Sequence, residues 1–344
     1  MQKMFRGLAA FIAVFLTLGM LASCKGEGYA IKVEDKVVTE GDYKRNVYTL
    51  RENYVSALGA TETKEFWTDP LEDGNTMSQV FVDYLEDYLV QNKLYALQFD
   101  KLGLSFTEEE DQVIQQSLSD MIEAYGSMSA FNQALADGFY TYEEYLEEIY
   151  DSAKKSRVLK HYFGEESENP VSVEAIKDYY GKNYARVKFV YISKLDEETG
   201  EVAKGKPLGE LRKKAEEVLD SAKRESETVT FEDLIGMHSD ITSIAEDGMV
   251  VSQESGTDPA LTEAAMEMKV GEIRLVDSEY AFLIVKRYDG TADEFFTATV
   301  QQSALEEFCA EEIAALMEEW RADADIKVNQ KIIKKYRPEK LVEE

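Results

Sequence analysis

Between Met77 and Gly103 apolar residues return every three or four positions. Val80, Phe81, Tyr84, Leu85, Tyr88 and Leu89 fall on one stripe, which predicts a helix with a single buried face. Gly103 is a natural stop for it. Thr107-Glu-Glu-Glu110 and Thr141-Tyr-Glu-Glu144 have capping-box spacing and open two further helices, to about Gly126 and about Phe163. A short helix from about Ser127 to Ala136 lies between them. Upstream, Thr39 with Asp42 starts a helix reaching about Tyr54, and Phe66 to Asn75, with Pro70 and Gly74, reads as a loop. Pro170 breaks the pattern, and Ser172 starts one more helix to about Tyr184. Residues 39–184 are thus read as mostly helical.

The period then shortens. Arg186 to Ser193 is β-rich, a charged loop runs from Leu195 to Pro207, and helices fit Leu208 to Arg224 and Phe231 to Met237. Gly248 to Val251 reads as a strand and Asp258 to Met268 as a helix. Glu272 to Leu275 and Tyr280 to Arg287 form a closing hairpin. This α+β block covers about residues 186–288. A long helix follows from about Asp293 to Trp320, with Leu305, Phe308, Cys309, Ile313, Leu316 and Trp320 on one face, so Cys309 reads as a core thiol. Near the N-terminus, Tyr29 to Val38 alternates as strand, turn and strand. Asp325 to Val328 is a last strand whose natural partner is that hairpin, since a lone edge strand is unstable. The two chain ends are therefore expected to pack together, with the α+β block inserted between them. No repeat or low-complexity segment interrupts the chain.

The first residues follow different rules. Lys3 and Arg6 precede an apolar run, Gly7 to Met20, that ends in Leu21, Ala22 and Ser23. The run is shorter than the roughly 20 residues of a spanning helix and has the layout of a secretory signal peptide. Leu21-Ala-Ser-Cys24 resembles the lipobox of bacterial lipoproteins. That resemblance implies cleavage before Cys24 and acylation of its sulfur, two acyl chains anchoring a soluble body where one holds it only marginally. A plain secretory peptide with an incidental cysteine, or an uncleaved anchor, are the competing readings. With Cys24 acylated, Cys309 has no intrachain partner, as in an exported protein that folds without disulfides.

Composition narrows the classes further. The 344 residues allow two domains, and 44% hydrophobic with 11% aromatic residues can fill real cores. A net charge of −30 repels nucleic acid, keeps the surface soluble and weakly favours basic clients. The basic tail from Lys331 to Lys340 is the local exception and reads as a solvated helix end. His161 and His238 are the two histidines. With no HExxH and no cysteine pair, they give no metal site, and no cofactor is implied.

The order of elements resembles the SurA/PrsA-like foldases, exported chaperones carrying a parvulin-type peptidyl-prolyl isomerase domain. The likeness lies in "AIKVEDKVVTEGDY" and "YGSMSAFNQALADGFYTYEEYLEEI" near the N-terminus, "VSVEAIKDYYGKNYARVKFVYIS" before the block, and "ALTEAAMEMKVGEIRLVDSEYAFLIVKR" at its end. The Lys269-Val-Gly-Glu-Ile273 turn and its spacing to Lys286 are the most specific part. The resemblance implies a signal peptide at residues 1–23, a helical chaperone domain built from 24–184 and 291–344, and a parvulin-like antiparallel sheet with helices at 185–290. The fold class is α+β.

Parvulins rotate an X-Pro bond against a barrier of about 20 kcal/mol. They do so with two histidines and a Cys or Asp beside an apolar proline pocket. Here the three polar positions carry Phe189, Ile241 and Leu283, none able to make the side-chain hydrogen bonds of that cluster. Leu261 and Met266 keep the pocket apolar, and Asp240 completes a candidate peptide groove with Phe189, Leu261, Met266 and Leu283. His238 is either a substitute polar group or a satisfied histidine at a helix end; His161 is a surface or packing residue.

The leading expectation is a lipid-tethered extracytoplasmic holdase, anchored to the bacterial cell membrane, that binds unfolded exported polypeptides. Its parvulin-like module then lacks normal catalysis. An active peptidyl-prolyl isomerase is the alternative. A solute-binding lipoprotein would show two lobes of alternating strands and helices, against the long helical run from 77 to 184.

Overall fold

In the computed structural model, residues 28–196, 199–224, 229–243, 248–255 and 257–342 are described. Cys24 and the signal-peptide reading lie outside the described residues. The chain divides into two units, one comprising residues up to Asn169 and from Glu312 onward, the other Pro170–Glu311. The expected α+β architecture, a mostly helical body with an antiparallel sheet-containing block, is the one found.

The first unit is closed by a three-stranded sheet in the order β2-β1-β7, formed by β1 (Tyr29–Val33), β2 (Lys36–Thr39) and β7 (Ile326–Val328). Ile31 faces Val328 and Val33 faces Ile326, so the two ends of the chain share one sheet as expected. The hairpin between β1 and β2 has a two-residue loop whose first residue, Glu34, sits at φ 54°. That left-handed conformation is uncommon for a residue with a Cβ. Two bonds hold it: Glu34 N donates to Asp325 O at 3.0 Å, and Asp325 N donates to Glu34 Oε1 at 3.1 Å.

Helices α1 (Glu40–Ala57), α4 (Glu108–Ala124) and α6 (Tyr142–Phe163) each start with a complete capping box, at Thr39, Thr107 and Thr141. Between α1 and α3 (Met77–Lys101), the stretch read as a loop begins inside a short helix, α2 (Lys64–Thr68). Its Trp67 is fully buried, packs edge-on to Phe81 at 5.5 Å and donates to Glu62 Oε1 at 2.8 Å. Burying one tryptophan is enough to order a turn that periodicity cannot reveal. The α3 stripe splits in two: Phe81, Leu85 and Leu89 are buried, whereas Val80, Tyr84 and Tyr88 are exposed. With α5 (Met128–Asp137), α4 and the start of α6 form a small core around Leu118, Phe131 and Leu135. Further along, α6 packs against α3 and buries Val158 and Leu159.

The second unit is built on the sheet β4-β3-β6-β5, all neighbours antiparallel: β3 (Ala185–Ser193), β4 (Met249–Val251), β5 (Ile273–Asp277) and β6 (Ala281–Tyr288). Helices cover both faces, which explains why β3 reads as a nearly continuous apolar run and not as an alternation. On one face Val187 and Phe189 pack with α10 (Pro259–Glu267); on the other Val190 and Ile192 pack with α8 (Lys206–Ala222) and α9 (Phe231–His238). A third small core joins α7 (Val173–Asn183) to α11 (Ala298–Phe308) through Ile176, Tyr180, Phe296 and Ala304. Gly248 has φ 73°, and a Cβ there would lie 2.7 Å from Val187 O, so only glycine lets β4 approach β3.

Two expectations need correction. The single helix read from Asp293 to Trp320 is two, α11 and α12 (Ala310–Asp323), broken at Cys309. The break keeps Cys309 in the core while Phe308 turns outward onto Tyr179 at 5.5 Å. One non-helical residue hardly disturbs an apolar period, so the pattern conceals it. The basic tail is a helix, α13 (Gln330–Lys335), yet not a solvated one. It buries Ile332 and Ile333, and Lys335 donates to Glu40 Oε1 at 2.6 Å.

The closing strand pair gives the first prediction. Ile31→Ala, at a fully buried position in β1, should destabilise the first unit by roughly 2–5 kcal/mol in urea unfolding. The transition of the second unit should stay where it is; a shift of both by the same amount would contradict this division.

Candidate functional site

In the second unit, β3 and β6 pair in register with Phe189 opposite Val285 and Tyr191 opposite Leu283. Cross-strand partners and residues two apart share a face, so Phe189 and Leu283 lie together on the side covered by α10. Both are buried, at 6% and 3% exposure, in one cluster with Leu261, and half-buried Met266 packs against it. Four of the sequence-assigned groove residues are therefore brought together. At the two strand positions where the resemblance implies imidazoles, the side chains present are hydrocarbon.

The other assigned residues lie elsewhere. Ile241 is 42% exposed and is not part of that cluster. Asp240 caps a strand edge: its N–H donates to Tyr191 O at 2.8 Å and its Oδ2 accepts from Ser193 N at 2.7 Å. Ser239 Oγ accepts from Tyr191 N at 2.9 Å, so the Ser239-Asp240 pair covers the stretch of β3 beyond β4. These bonds protect an otherwise open edge. His238 ends α9, whose Phe231, Leu234 and Ile235 pack on the opposite face of the sheet from Phe189. His238 is not among the residues packed with Phe189 and Leu283. His161 is an exposed residue of α6, edge-on to Tyr162 at 5.2 Å.

The first unit holds a site that pattern reading missed. A cleft of about 310 Å³ opens between α1, α3 and the first half of α6. Asp42, Asn46, Asn92, Lys93, Glu147 and Asp151 are among its walls. Arg45, only 6% exposed along its side chain, bonds Asp42 Oδ1 at 2.7 Å and lies 3.2 Å from Glu144 Oε1. Its guanidinium carbon sits 4.5 Å from the centre of the Tyr140 ring, and Tyr140 donates to Glu148 Oε2 at 2.8 Å. Deeper in, Lys93 donates to Asp151 Oδ2 at 2.8 Å and Lys154 to Asp151 Oδ1 at 2.8 Å.

The charges respond accordingly. Burial by itself would raise Asp151, but Lys93 and Lys154 outweigh it and hold the carboxyl below its ordinary value. Burial would lower Lys93, and Asp151 reverses that. Glu148 is raised, chiefly by burial among its neighbours, against the opposing pull of Tyr140 and Arg45. No phase signal marks this site: Tyr43 and Val47, both fully buried, share one face of α1, and Arg45 between them falls on the other, which becomes buried only when α6 packs over it.

Near the cleft, the exposed side of α3 carries a ladder of tyrosines. Tyr84 and Tyr88, 51% and 40% exposed, stack at 6.4 Å, and Tyr54 of α1 lies 6.3 Å from Tyr84. Tyr88 also lines the cleft. Among the described residues, no group of three or more His, Cys, Asp or Glu is placed to hold a metal ion. No described helix is long and apolar enough to cross a membrane.

Residues 2–139 match the family model described as the SurA-like N-terminal domain. No curated protein matches the chain. Among solved structures, it is similar to PrsA from Bacillus subtilis, at 19% identity over 90% of this chain and 93% of that one, with a TM-score of 0.28. It is also similar to the foldase protein PrsA from Streptococcus pneumoniae, at 16% identity over 81% and 86%, with a TM-score of 0.30. A third, the foldase protein PrsA from Lactococcus lactis, shares 12% identity over 90% and 99%, with a TM-score of 0.34. At these scores the solved structures add nothing to the architecture described above.

Asp151 gives the cleft a measurable signature. A carboxyl held below its ordinary value of about 3.9 contributes fully above that pH, and the contribution fades as pH falls through the folded value. Asp151→Asn should therefore lower stability by about 2–3 kcal/mol at neutral pH, slightly less than a fully buried pair, and by less at an acid pH below that ordinary value. An equal loss at both pH values would contradict the ion-pair account.

Proposed function

We propose that this SurA/PrsA-like chain is a membrane-tethered extracytoplasmic folding factor that holds unfolded, newly exported polypeptides on its first unit. The observation that carries the reading is the tyrosine ladder of α3, solvent-exposed beside an acidic cleft, in the unit that matches the SurA-like N-terminal domain. Tyrosine offers a broad apolar ring with a polar rim, so such a surface can take up apolar side chains and remain soluble. The charge of −30 favours clients with basic segments and disfavours nucleic acid. Tethering rests on the lipobox-like Leu21-Ala-Ser-Cys24, with Cys24 as the lipid attachment point.

Residues 185–290, within the second unit, are read as a parvulin-like domain that binds or scaffolds and does not turn over proline bonds. Phe189 and Leu283 supply packing where proton donors and acceptors would be needed to stabilise a twisted amide. The competing reading, an active isomerase, requires catalysis by desolvation alone.

Two assays test the proposal. The double variant Tyr84→Ser/Tyr88→Ser removes two aromatic contacts worth roughly 0.5–1.5 kcal/mol each, so client affinity should fall on the order of tenfold. Suppression of client aggregation should fall with it, while circular dichroism shows the protein still folded at the assay temperature; undiminished suppression would sink the reading. In a protease-coupled proline-peptide assay, the protein should leave isomerisation at its uncatalysed pace of tens of seconds or slower. A clear acceleration would establish the competing reading instead.

A further inference from the structure

Arg45 joins the capping carboxylates of two helices far apart in sequence. Asp42 Oδ2 accepts from Thr39 N at 2.9 Å to start α1, and its other oxygen accepts from Arg45 Nη2. Glu144 Oε2 accepts from Thr141 N at 2.8 Å to start α6, and its other oxygen faces Arg45 Nη1. One guanidinium thus spans both capping boxes, with the Tyr140 ring against its face. A planar fork with fixed donor directions suits this bridging better than a lysine would.

We propose that α4, α5 and the first half of α6 form a flap over the cleft, latched by Arg45 and hinged on the second half of α6. Three observations support it. The flap has its own core of Leu118, Phe131 and Leu135, so it can move as a body without dismantling that core. The contacts at its cleft side are mainly polar, Arg45 with Glu144, Arg45 with Tyr140, and Lys93 with Asp151, around unfilled space, with one ring contact, Phe139 on Tyr48 at 5.2 Å. The far end of α6 is fixed differently, by the fully buried Val158 and Leu159. A segment held by a few charges at one end and by close apolar packing at the other opens at the charged end, because separated charges are re-solvated by water whereas parted apolar surfaces are not. Opening would enlarge access to Leu89 and Tyr88 on the cleft wall; that role, though not the motion, rests on the chaperone reading.

Hydrogen exchange on the full protein, without client, tests the latch. In Arg45→Met, amides of residues 108–150 should exchange on the order of tenfold faster than in the wild type. Those of residues 158–163 and of the β1–β7 sheet should keep wild-type rates. Glu144→Gln retains a capping acceptor and loses only the charge, so it should show the same local pattern at smaller amplitude, and it decides the matter if Arg45→Met does not fold. Unchanged exchange at 108–150 in Glu144→Gln, or a uniform rise across the whole first unit, overturns the flap. Since no client is present, that failure leaves the holding function standing, and weakened holding by the tyrosine variant leaves the flap standing.

Discussion

The pairing of β1 with β7 is the constraint on which the rest of the first unit depends. Ile31 and Val33 are wholly buried, and their strand is satisfied only when Ile326 to Val328 returns from the other end of the chain to lie beside it. A two-stranded hairpin alone is marginal in water. The Glu34 and Asp325 backbone bonds fix the register at the turn, and α13 packs its two isoleucines down next to the same strand. Because the chain closes on itself in this way, residues 170–311 form an insertion whose own chemistry can change without disturbing the closure.

That freedom is visible in the second unit. Its sheet, its Lys269 to Ile273 turn and the α10 packing keep a well-formed apolar face, while Phe189 and Leu283 fill it with hydrocarbon. In the first unit, Arg45 and Lys93 are each tied to carboxylates from a second helix. Buried pairs of this kind add specificity of arrangement more readily than stability. Beside them, the tyrosines of α3 expose aromatic surface, so a charged cleft and an apolar ladder adjoin on the same helix.

Much of this was legible in the sequence because it is written locally. Capping boxes at Thr39, Thr107, Thr141 set helix starts to the residue, and the apolar runs of β3 and β6 set the central strand pair. The partnership of the first and last strands followed from the instability of either alone. What escaped depends on neighbours supplied by distant elements. The α3 stripe has the right phase, but only the width of the surface facing it decides that Phe81 is buried and Tyr84 is not. The cleft needs three helices to converge before Arg45, Lys93 and Asp151 mean anything together. The resemblance assigns Ile241 to the third polar position beside Phe189 and Leu283, whereas the chain there follows the edge of β3 through Ser239 and Asp240 and leaves Ile241 exposed.

The central claim is that unfolded chains are held on the tyrosine face of the first unit, not on the apolar face of the second. Site-specific photo-crosslinking tests it most directly, with a photoreactive residue at position 84 or at position 266 and an unfolded client added. The account predicts adducts with the client from position 84 and background labelling from position 266. Adducts confined to position 266 would contradict it.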